Sequence, residues 1–171
     1  RDAEDASVVA HHFDIPSCTV DLAPVYDLML ERLSVCSSDF CDSRLATANL
    51  KPRLRMTTLY AFANQLDYRV LGTGNRSELA LGYFTKYGDG GADFLPLGSL
   101  VKSEVRDLAR HLGVPDRIIT KPPSAGLWAD QTDEAEMGLT YEELDAYLLT
   151  SEASPAVKAK VDAICAYEEE A

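Results

Sequence analysis

One segment near the middle of the chain constrains the fold more than any other. Residues 68–71 include β-branched and aromatic side chains, residues 72–75 read Gly-Thr-Gly-Asn, and residues 76–84 have helical spacing. A strand that passes through a glycine turn into a helix is the repeating unit of parallel α/β sheets. Such sheets bind ligands at the carboxyl ends of their strands. The segment therefore predicts a ligand site at the glycine turn.

The rest of the chain continues this alternation of helix and strand. Residues 17–22 alternate apolar and polar side chains, as a short strand does, and residues 94–97 form a short apolar stretch. We predict a single domain over residues 1–171, of the α/β class, with a Rossmann-like open parallel sheet and helices on both faces. Helical periodicity is present in residues 2–13, 23–33, 45–66, 101–112, 141–149 and 156–168.

Three finer expectations concern these helices. The regular part of the third helix is expected to start at Pro52, because proline is favoured at the first position of a helix. Residues 131–136 read as an acidic loop. The apolar stripes of residues 45–66 and 101–112 are expected to face a core. They consist of Leu50, Leu54, Leu59, Phe62 and Leu66 in the first helix and of Val105, Leu108 and Leu112 in the second.

Charge and composition limit the classes of partner. The chain has 28 acidic and 16 basic residues, a net charge of -12, so it repels a nucleic-acid backbone. An anionic substrate requires a local basic cluster instead. The sequence contains neither a membrane-spanning apolar run nor a signal-peptide pattern, and its four cysteines are scattered. We expect a cytoplasmic protein with reduced thiols and no membrane or nucleic-acid partner.

The glycine turn and the helix after it offer groups that suit a phosphorylated ligand. Thr73 supplies a hydroxyl, and Glu78 lies about one turn into the helix, where a carboxylate is able to hold a cation on the phosphates. Mg²⁺ prefers one or two carboxylates together with phosphate oxygens. An ordinary turn followed by a helix with an acid in its first turn remains an alternative.

The stretch FTKYGDGGAD combines charge, aromatic rings and backbone freedom. Lys86, Asp89 and Asp93 are its charged residues, and Phe84 and Tyr87 lie beside them. Aromatic and cationic groups together suit a heterocyclic, phosphorylated ligand. A solvated surface loop has the same composition, so both interpretations stay open.

Two further residues are candidates for anion binding. Lys102 begins a helix and is placed to direct its ammonium at a phosphate, although a solvated lysine fits equally. Ser124 lies in KPPSAGLW, where two prolines stiffen the backbone and Trp128 is expected to anchor the loop.

Five motifs in order are shared with one family. ANLKPRLRM, LGTGNRSE, GYFTKYGDGGAD, KPPSAGLW and TDEAEMGLTYEELD closely resemble segments of the ammonia- or glutamine-dependent NAD synthetases, which belong to the N-type ATP pyrophosphatase group. The similarity runs from about residue 2 to residue 150. The resemblance implies that ATP adenylates the carboxylate of deamido-NAD, and that ammonia then displaces AMP to give NAD.

The resemblance also implies roles for particular residues. It assigns ATP contacts to Thr73, Lys102 and Ser124, Mg²⁺ to Glu78, and deamido-NAD contacts to Arg53, Lys86 and Asp93. By analogy, Asp89 positions ammonia or accepts its proton. The family forms homodimers through the helix near residues 53–65, whose apolar residues include Met56, Leu59, Tyr60 and Phe62.

Two family features are absent from the sequence. The pyrophosphate-binding Ser-Gly-Gly-x-Asp-Ser loop would lie upstream of Arg1, and a His-Lys pair would lie after Ala171. We therefore expect a domain that is incomplete at its N-terminus. The full gene product is expected to be the enzyme, and this polypeptide alone is expected to have little or no synthetase activity.

Alternatives to this function are another N-type pyrophosphatase, such as a GMP or argininosuccinate synthetase, and a non-catalytic copy that binds nucleotide or a partner subunit. KYGDGGAD and KPPSAGLW favour the NAD synthetases over the first. Joint retention of Thr73, Glu78, Lys102 and Ser124 argues against the second. Free ammonia is the default nitrogen source, with a glutaminase portion left open.

Overall fold

The computed structural model describes residues 2–128 and 130–170, and this part of the chain is largely helical. A short 3-10 helix, Ser38–Asp42, precedes the longest helix. Within the described ranges, no helix has the length and apolar character needed to cross a membrane. The helices are α1 Asp2–His12, α2 Ala23–Ser34, α3 Arg44–Leu66, α4 Arg76–Ala80, α5 Lys102–Leu112, α6 Asp116–Ile119, α7 Asp133–Met137, α8 Tyr141–Thr150 and α9 Pro155–Glu170.

The expected start of the third helix at Pro52 is wrong. Helix α3 begins at Arg44 and contains Pro52 in its interior, although proline removes a backbone donor there. Pro52 is buried, and the loop that carries Gly88 packs so closely on it that a Cβ at Gly88 would lie 2.9 Å from the Pro52 Cβ. Tertiary packing thus outweighs the local preference for proline at the first turn.

The acidic loop expected at residues 131–136 is also wrong, because α7 occupies most of it. Asp133, Glu134 and Glu136 lie in the first turn of this helix, where negative charge is favourable to the helix dipole. Met137 is buried at its end. The favourable first-turn acids and the burial of Met137 together account for a helix in this short acidic segment.

The open parallel sheet is not formed as strands within the described residues. One parallel bridge joins Leu71 to Phe94, supported by a hydrogen bond from Gly72 N to Phe94 O of 2.8 Å. Residues 17–22 form no strand, because an alternating pattern becomes one only beside a paired backbone. The direction of the single bridge agrees with the parallel arrangement, but helices on both faces of a sheet are not confirmed.

The main core lies at the carboxyl-terminal end of the chain. Helices α7, α8 and α9 contribute most of its side chains, and α5 packs against α8 and α6. The predicted core positions on α3 and α5 are wrong in part: Leu50, Leu54 and Val105 are partly buried, but the others are exposed, namely Leu59, Phe62, Leu66, Leu108 and Leu112. Amphipathic spacing shows which residues share a face, but not whether another element covers it. The core residues are Leu81, Met137, Leu139, Tyr141, Leu144, Val157 and Val161.

Candidate functional site

The glycine turn leads into α4 through a reciprocal cap. The Glu78 backbone N donates to Asn75 Oδ1 and the Asn75 backbone N donates to Glu78 Oε2, both at 3.0 Å. Asn75 is buried, so this pair satisfies two amides that would otherwise lack partners. Glu78 therefore caps the start of its own helix, as the alternative interpretation of this acid expected. Its second oxygen, Oε1, remains available for another contact.

That second oxygen pairs with Lys102. The Lys102 Nζ lies 2.9 Å from Glu78 Oε1 and 5.0 Å from the centroid of the Tyr141 ring. Both charged side chains are only 19% exposed. An ion pair from which most of the solvent is excluded interacts more strongly than a pair on the surface. The lysine ammonium is thus held at a defined place between a carboxylate and an aromatic face.

A buried carboxylate fixes the start of α5 and with it Lys102. Asp145 Oδ2 accepts from the Ser103 backbone N at 2.7 Å, and Asp145 Oδ1 accepts from the Ser77 hydroxyl at 2.5 Å. The Ser77 Oγ in turn accepts from the Lys102 backbone N at 3.0 Å. The first two amides of α5 are thus already satisfied, so Lys102 interacts with an anion through its side chain and not through its backbone. Sequence reasoning missed Asp145, whose signal was an acid beside Leu144 on the buried face of α8.

One cavity of about 940 Å³ brings the candidate nucleotide-binding residues together. Thr73, Glu78, Lys102 and Ser124 all line it, and Asp89 lies on its wall. The Ser124 Oγ accepts from the Gly126 backbone N at 3.1 Å, which orients the hydroxyl within its loop. Residues from four separate stretches of sequence therefore line one cavity.

The loop that carries Ser124 is tied to α3. The Lys51 Nζ donates to Leu127 O at 2.8 Å, and the guanidinium of Arg44 lies 3.9 Å from the centroid of the Trp128 ring. These contacts place Trp128 where the sequence predicted an anchor. A smaller cavity of about 340 Å³ lies against the same loop, and Asp89 lines both cavities.

Asp133 is a further residue of the large cavity that sequence reasoning missed. Its side chain is 5% exposed, and its Oδ2 accepts from the Tyr141 hydroxyl at 3.0 Å. Among the residues that the structure describes, its Oδ1 has no hydrogen-bond partner. Burial raises the pKa of Asp133, while the Tyr141 hydrogen bond and the charge of Lys102 act to lower it. The signal was present in the motif TDEAEMGLTYEELD, but the acidic composition suggested a loop.

The remaining predicted residues are Arg53, Lys86 and Asp93. Arg53 lies on α3 and the other two lie against it, and the three are called here the group beside α3. The Arg53 Nε donates to Lys86 O at 3.2 Å, and both side chains are exposed. Asp93 Oδ2 accepts from the Val70 backbone N at 2.8 Å, and its Oδ1 accepts from the Tyr60 hydroxyl at 3.1 Å. Arg53, Lys86 and Asp93 are not among the residues that line the large cavity. The large cavity therefore brings these three residues together with neither Lys102 nor Glu78.

The glycines of the FTKYGDGGAD loop serve close packing within the protein. A Cβ at Gly90 would lie 2.5 Å from Phe84 Cδ2, and a Cβ at Gly91 would lie 3.0 Å from Met56 Cγ. Both distances are shorter than ordinary van der Waals contact. The absence of side chains at these positions lets the loop lie against α3 and its own aromatic residue.

The donor set of the large cavity fits a divalent cation carried by phosphates. Within the described residues, no group of three or more His, Cys, Asp or Glu is arranged to hold a metal ion. Glu78 and Asp133 nevertheless line the cavity, and Asp133 keeps a free, buried oxygen. Mg²⁺ usually takes one or two carboxylates and completes its shell with waters and phosphate oxygens. The residues present match that requirement.

Comparison with known proteins identifies similar sequences along nearly the whole chain. The family model described as NAD synthase matches residues 1–167. The NH(3)-dependent NAD(+) synthetase of Carboxydothermus hydrogenoformans is 54% identical over 154 residues, 90% of this chain and 63% of the relative. That of Syntrophomonas wolfei subsp. wolfei is 48% identical over 166 residues, 96% of this chain and 67% of the relative. The chain thus spans less than two thirds of the first of these relatives.

Solved structures resemble the fold as well. A structure of NMN synthetase from Francisella tularensis has a TM-score of 0.88 and 40% identity, covering 95% of this chain and 66% of that protein. A crystal structure of NAD+ synthetase from Burkholderia pseudomallei has a TM-score of 0.70 and 35% identity, covering 88% of this chain and 58% of that protein.

Proposed function

The chain belongs to the NAD synthase family, and on that premise we propose that its activity is the ATP-dependent amidation of deamido-NAD. ATP transfers its adenylyl group to the nicotinate carboxylate and releases pyrophosphate, and ammonia then displaces AMP. A carboxylate is a poor electrophile, so the adenylate supplies the leaving group. The observation that carries this proposal is the single cavity lined by Thr73, Glu78, Lys102 and Ser124. A different N-type pyrophosphatase activity is not favoured, because the curated relatives are NAD synthetases.

In this proposal the cavity binds ATP. The hydroxyls of Thr73 and Ser124 contact the nucleotide, and Lys102 neutralises phosphate charge. Lys102 is paired with Glu78 at 2.9 Å, so binding of a phosphate exchanges one anionic partner of the ammonium for another. Glu78 holds Mg²⁺, which supplies charge neutralisation on the pyrophosphate leaving group when it is bound.

The group beside α3 is proposed to bind deamido-NAD. Arg53 and Lys86 are exposed cations held next to each other, and they suit the phosphates of a dinucleotide. Asp93 is oriented by its hydrogen bonds to Tyr60 and Val70. Asp89 lines both cavities and is proposed to position ammonia or accept its proton.

Two architectural proposals accompany this function. The first is an open parallel sheet of the Rossmann type, supported by the parallel bridge between Leu71 and Phe94. The second is a homodimer that forms through the region of residues 53–65. The exposure of Leu59 and Phe62 on α3 supports an apolar contact there.

A second candidate is amidation of the mononucleotide in place of the dinucleotide. The Francisella tularensis protein, described as an NMN synthetase, has a TM-score of 0.88 to this chain, above the 0.70 of the Burkholderia pseudomallei NAD+ synthetase. Both substrates present the same nicotinate carboxylate. The rates of AMP formation with deamido-NAD and with nicotinate mononucleotide, measured side by side, distinguish the two candidates.

The proposal is tested first by nucleotide binding and then by turnover. Calorimetric titration with ATP and Mg²⁺ is expected to show binding that weakens in Lys102→Ala. Pyrophosphate release from ATP, Mg²⁺, deamido-NAD and ammonium, measured with the full gene product, is expected to fall at least about tenfold in Glu78→Ala. Absence of ATP binding, or release that is unchanged in Glu78→Ala, contradicts the proposal. Binding of ATP without any release favours the non-catalytic alternative.

A further inference from the structure

The Oδ1 of Asp133 is a buried polar atom to which residues 2–128 and 130–170 supply no hydrogen-bond partner. The side chain is 5% exposed, and only Oδ2 is satisfied, by the Tyr141 hydroxyl. A buried acceptor without a partner lowers the stability of the fold, and a charged one lowers it more. An asparagine at this position would still accept the Tyr141 hydrogen bond without placing a charge in the interior. The carboxylate therefore calls for an explanation outside the fold.

The cavity that Asp133 lines has an unusual charge balance for a polyphosphate site. Its described lining contains five carboxylates and three cationic side chains, so it is net negative. Lys121, one of those cations, already pairs with Asp2 and Asp5. A triphosphate placed there meets net repulsion unless cations enter with it. The lining is complementary to a nucleotide with its divalent cation, and not to the bare nucleotide.

Pairing with Lys102 does not account for Asp133. The Lys102 Nζ is bound to Glu78 Oε1 at 2.9 Å, and the Tyr141 ring lies beside it at 5.0 Å from the centroid. Asp133 contacts the hydroxyl end of that same tyrosine. Glu78 and Asp133 thus both lie near Tyr141 and Lys102. The carboxylate of Glu78 is paired with the ammonium, whereas Asp133 Oδ1 has no partner among the described residues.

We propose that Asp133 is the second carboxylate through which this chain binds the divalent cation of the nucleotide, in addition to Glu78. Its free oxygen binds the cation directly or through one of the waters that Mg²⁺ retains. The Tyr141 hydroxyl fixes the other oxygen and so orients the carboxylate. This assignment rests on the proposed function, because it requires a polyphosphate in the same cavity.

The test measures how much Mg²⁺ improves ATP affinity, which does not depend on turnover. Calorimetric dissociation constants for ATP are compared with Mg²⁺ and with chelator in the wild-type chain. Loss of a residue that holds or orients a metal typically costs about 10–100-fold in metal affinity. We therefore expect Asp133→Asn to lose at least about tenfold of the gain that Mg²⁺ confers. Without Mg²⁺, the same variant is expected to bind ATP as well as the wild type or better, because one repelling charge is gone.

Asp130→Asn is the matched control. Asp130 lines the same cavity but is exposed, and its backbone lies in the left-handed region at φ 58°, which asparagine adopts readily. This variant removes the same charge and is expected to keep the full Mg²⁺ gain. Asp133→Glu keeps the charge but moves the oxygen, and it is expected to lose part of the gain. It also provides the decisive comparison if Asp133→Asn does not fold.

A full Mg²⁺ gain in Asp133→Asn or in Asp133→Glu overturns the inference. So does an equal loss in the Asp130→Asn control, which would indicate an effect of net charge alone. Wild-type ATP binding that Mg²⁺ does not strengthen overturns the inference and leaves the nucleotide site in place. Absence of ATP binding overturns both the inference and the proposed function.

Discussion

The large cavity and the group beside α3 hold their charged residues in contrasting ways. In the cavity, Glu78 and Lys102 are 19% exposed and contact each other at 2.9 Å. Beside α3, Arg53 and Lys86 are exposed, and their contact is a hydrogen bond from one side chain to the backbone of the other. Asp93 there binds a backbone amide and a tyrosine hydroxyl.

The difference separates the partly buried pair Glu78–Lys102 from the cations Arg53 and Lys86, whose side chains are exposed to solvent. Charge pairs in partly excluded solvent are strong and geometrically defined, whereas exposed charges are screened and contribute little to stability. Substitutions in the cavity are therefore expected to change ATP binding and stability strongly. Substitutions beside α3 are expected to change only the binding of a second substrate.

The largest expected effect is that of Lys102→Ala on ATP binding. Truncation of one member of a hydrogen-bonded charge pair in a binding site costs roughly 2–5 kcal/mol, so ATP affinity is expected to fall about a hundredfold. Calorimetric titration with ATP and Mg²⁺ measures the loss. Arg110→Ala is the control, since it removes the same charge from an exposed position on the same helix. Equal losses in the two variants would show that net charge, and not the cavity, governs binding.

Asp145→Ala is expected to lower the free energy of unfolding by about 2 kcal/mol, because it leaves the Ser103 amide and the Ser77 hydroxyl without their buried acceptor. Urea denaturation measures the change. Asp162→Ala, an exposed aspartate on α9, is expected to stay within about 0.5 kcal/mol of the wild type. A stability loss at Asp145 no larger than at Asp162 would mean that α5 does not depend on this cap.

A smaller effect is expected for the pH dependence of Asp133. Burial raises its pKa in the folded state above the ordinary 3.8, so the folded protein binds this proton more tightly than the unfolded chain. Protonation of Asp133 therefore adds stability as the pH falls, and this contribution is lost as the pH rises through the folded-state pKa. The charged or titratable neighbours that act on it are Lys102, Glu78, Tyr83 and Tyr141.

Asp133→Asn removes this titration. In metal-free buffer the variant is expected to be more stable than the wild type near pH 7, and the advantage is expected to shrink toward about pH 4. Urea denaturation at both pH values measures the difference. An advantage that does not change with pH would show that Asp133 titrates alike in the folded and unfolded chains.

The smallest expected effect on the fold and on ATP is that of Arg53→Ala. Arg53 is exposed, so stability is expected to change by less than about 0.5 kcal/mol and ATP affinity by less than about twofold. Affinity for deamido-NAD is expected to fall several-fold, because the variant removes a phosphate-directed cation. Calorimetric titration with each ligand separates the two effects. A loss of ATP affinity comparable to that in Lys102→Ala would join the two regions into one site.

Local chemistry in the sequence marked part of the candidate site. Thr73 and Glu78 follow a glycine turn, Lys102 begins α5, and Ser124 lies in a proline-stiffened loop, and all four line one cavity. Asp133 and Asp145 were missed. Each is an acid in an acidic segment, and only burial distinguishes it from its solvated neighbours. The spacing of residues in the sequence does not show how far a particular acidic side chain is buried.

The sequence by itself determined the family and most of the helix positions, and it singled out the residues that are proposed to contact ATP. Helical periodicity and turn residues are local patterns of a few residues, so they are recognised from the sequence without knowledge of the fold. Only the tertiary structure decided that α3 continues through Pro52 and that part of the apolar stripes of α3 and α5 is exposed. It also decided that Lys102 lines the large cavity and that Arg53 and Lys86 do not. These outcomes depend on contacts between segments that are distant in the sequence, and local sequence patterns do not predict the energy of such contacts.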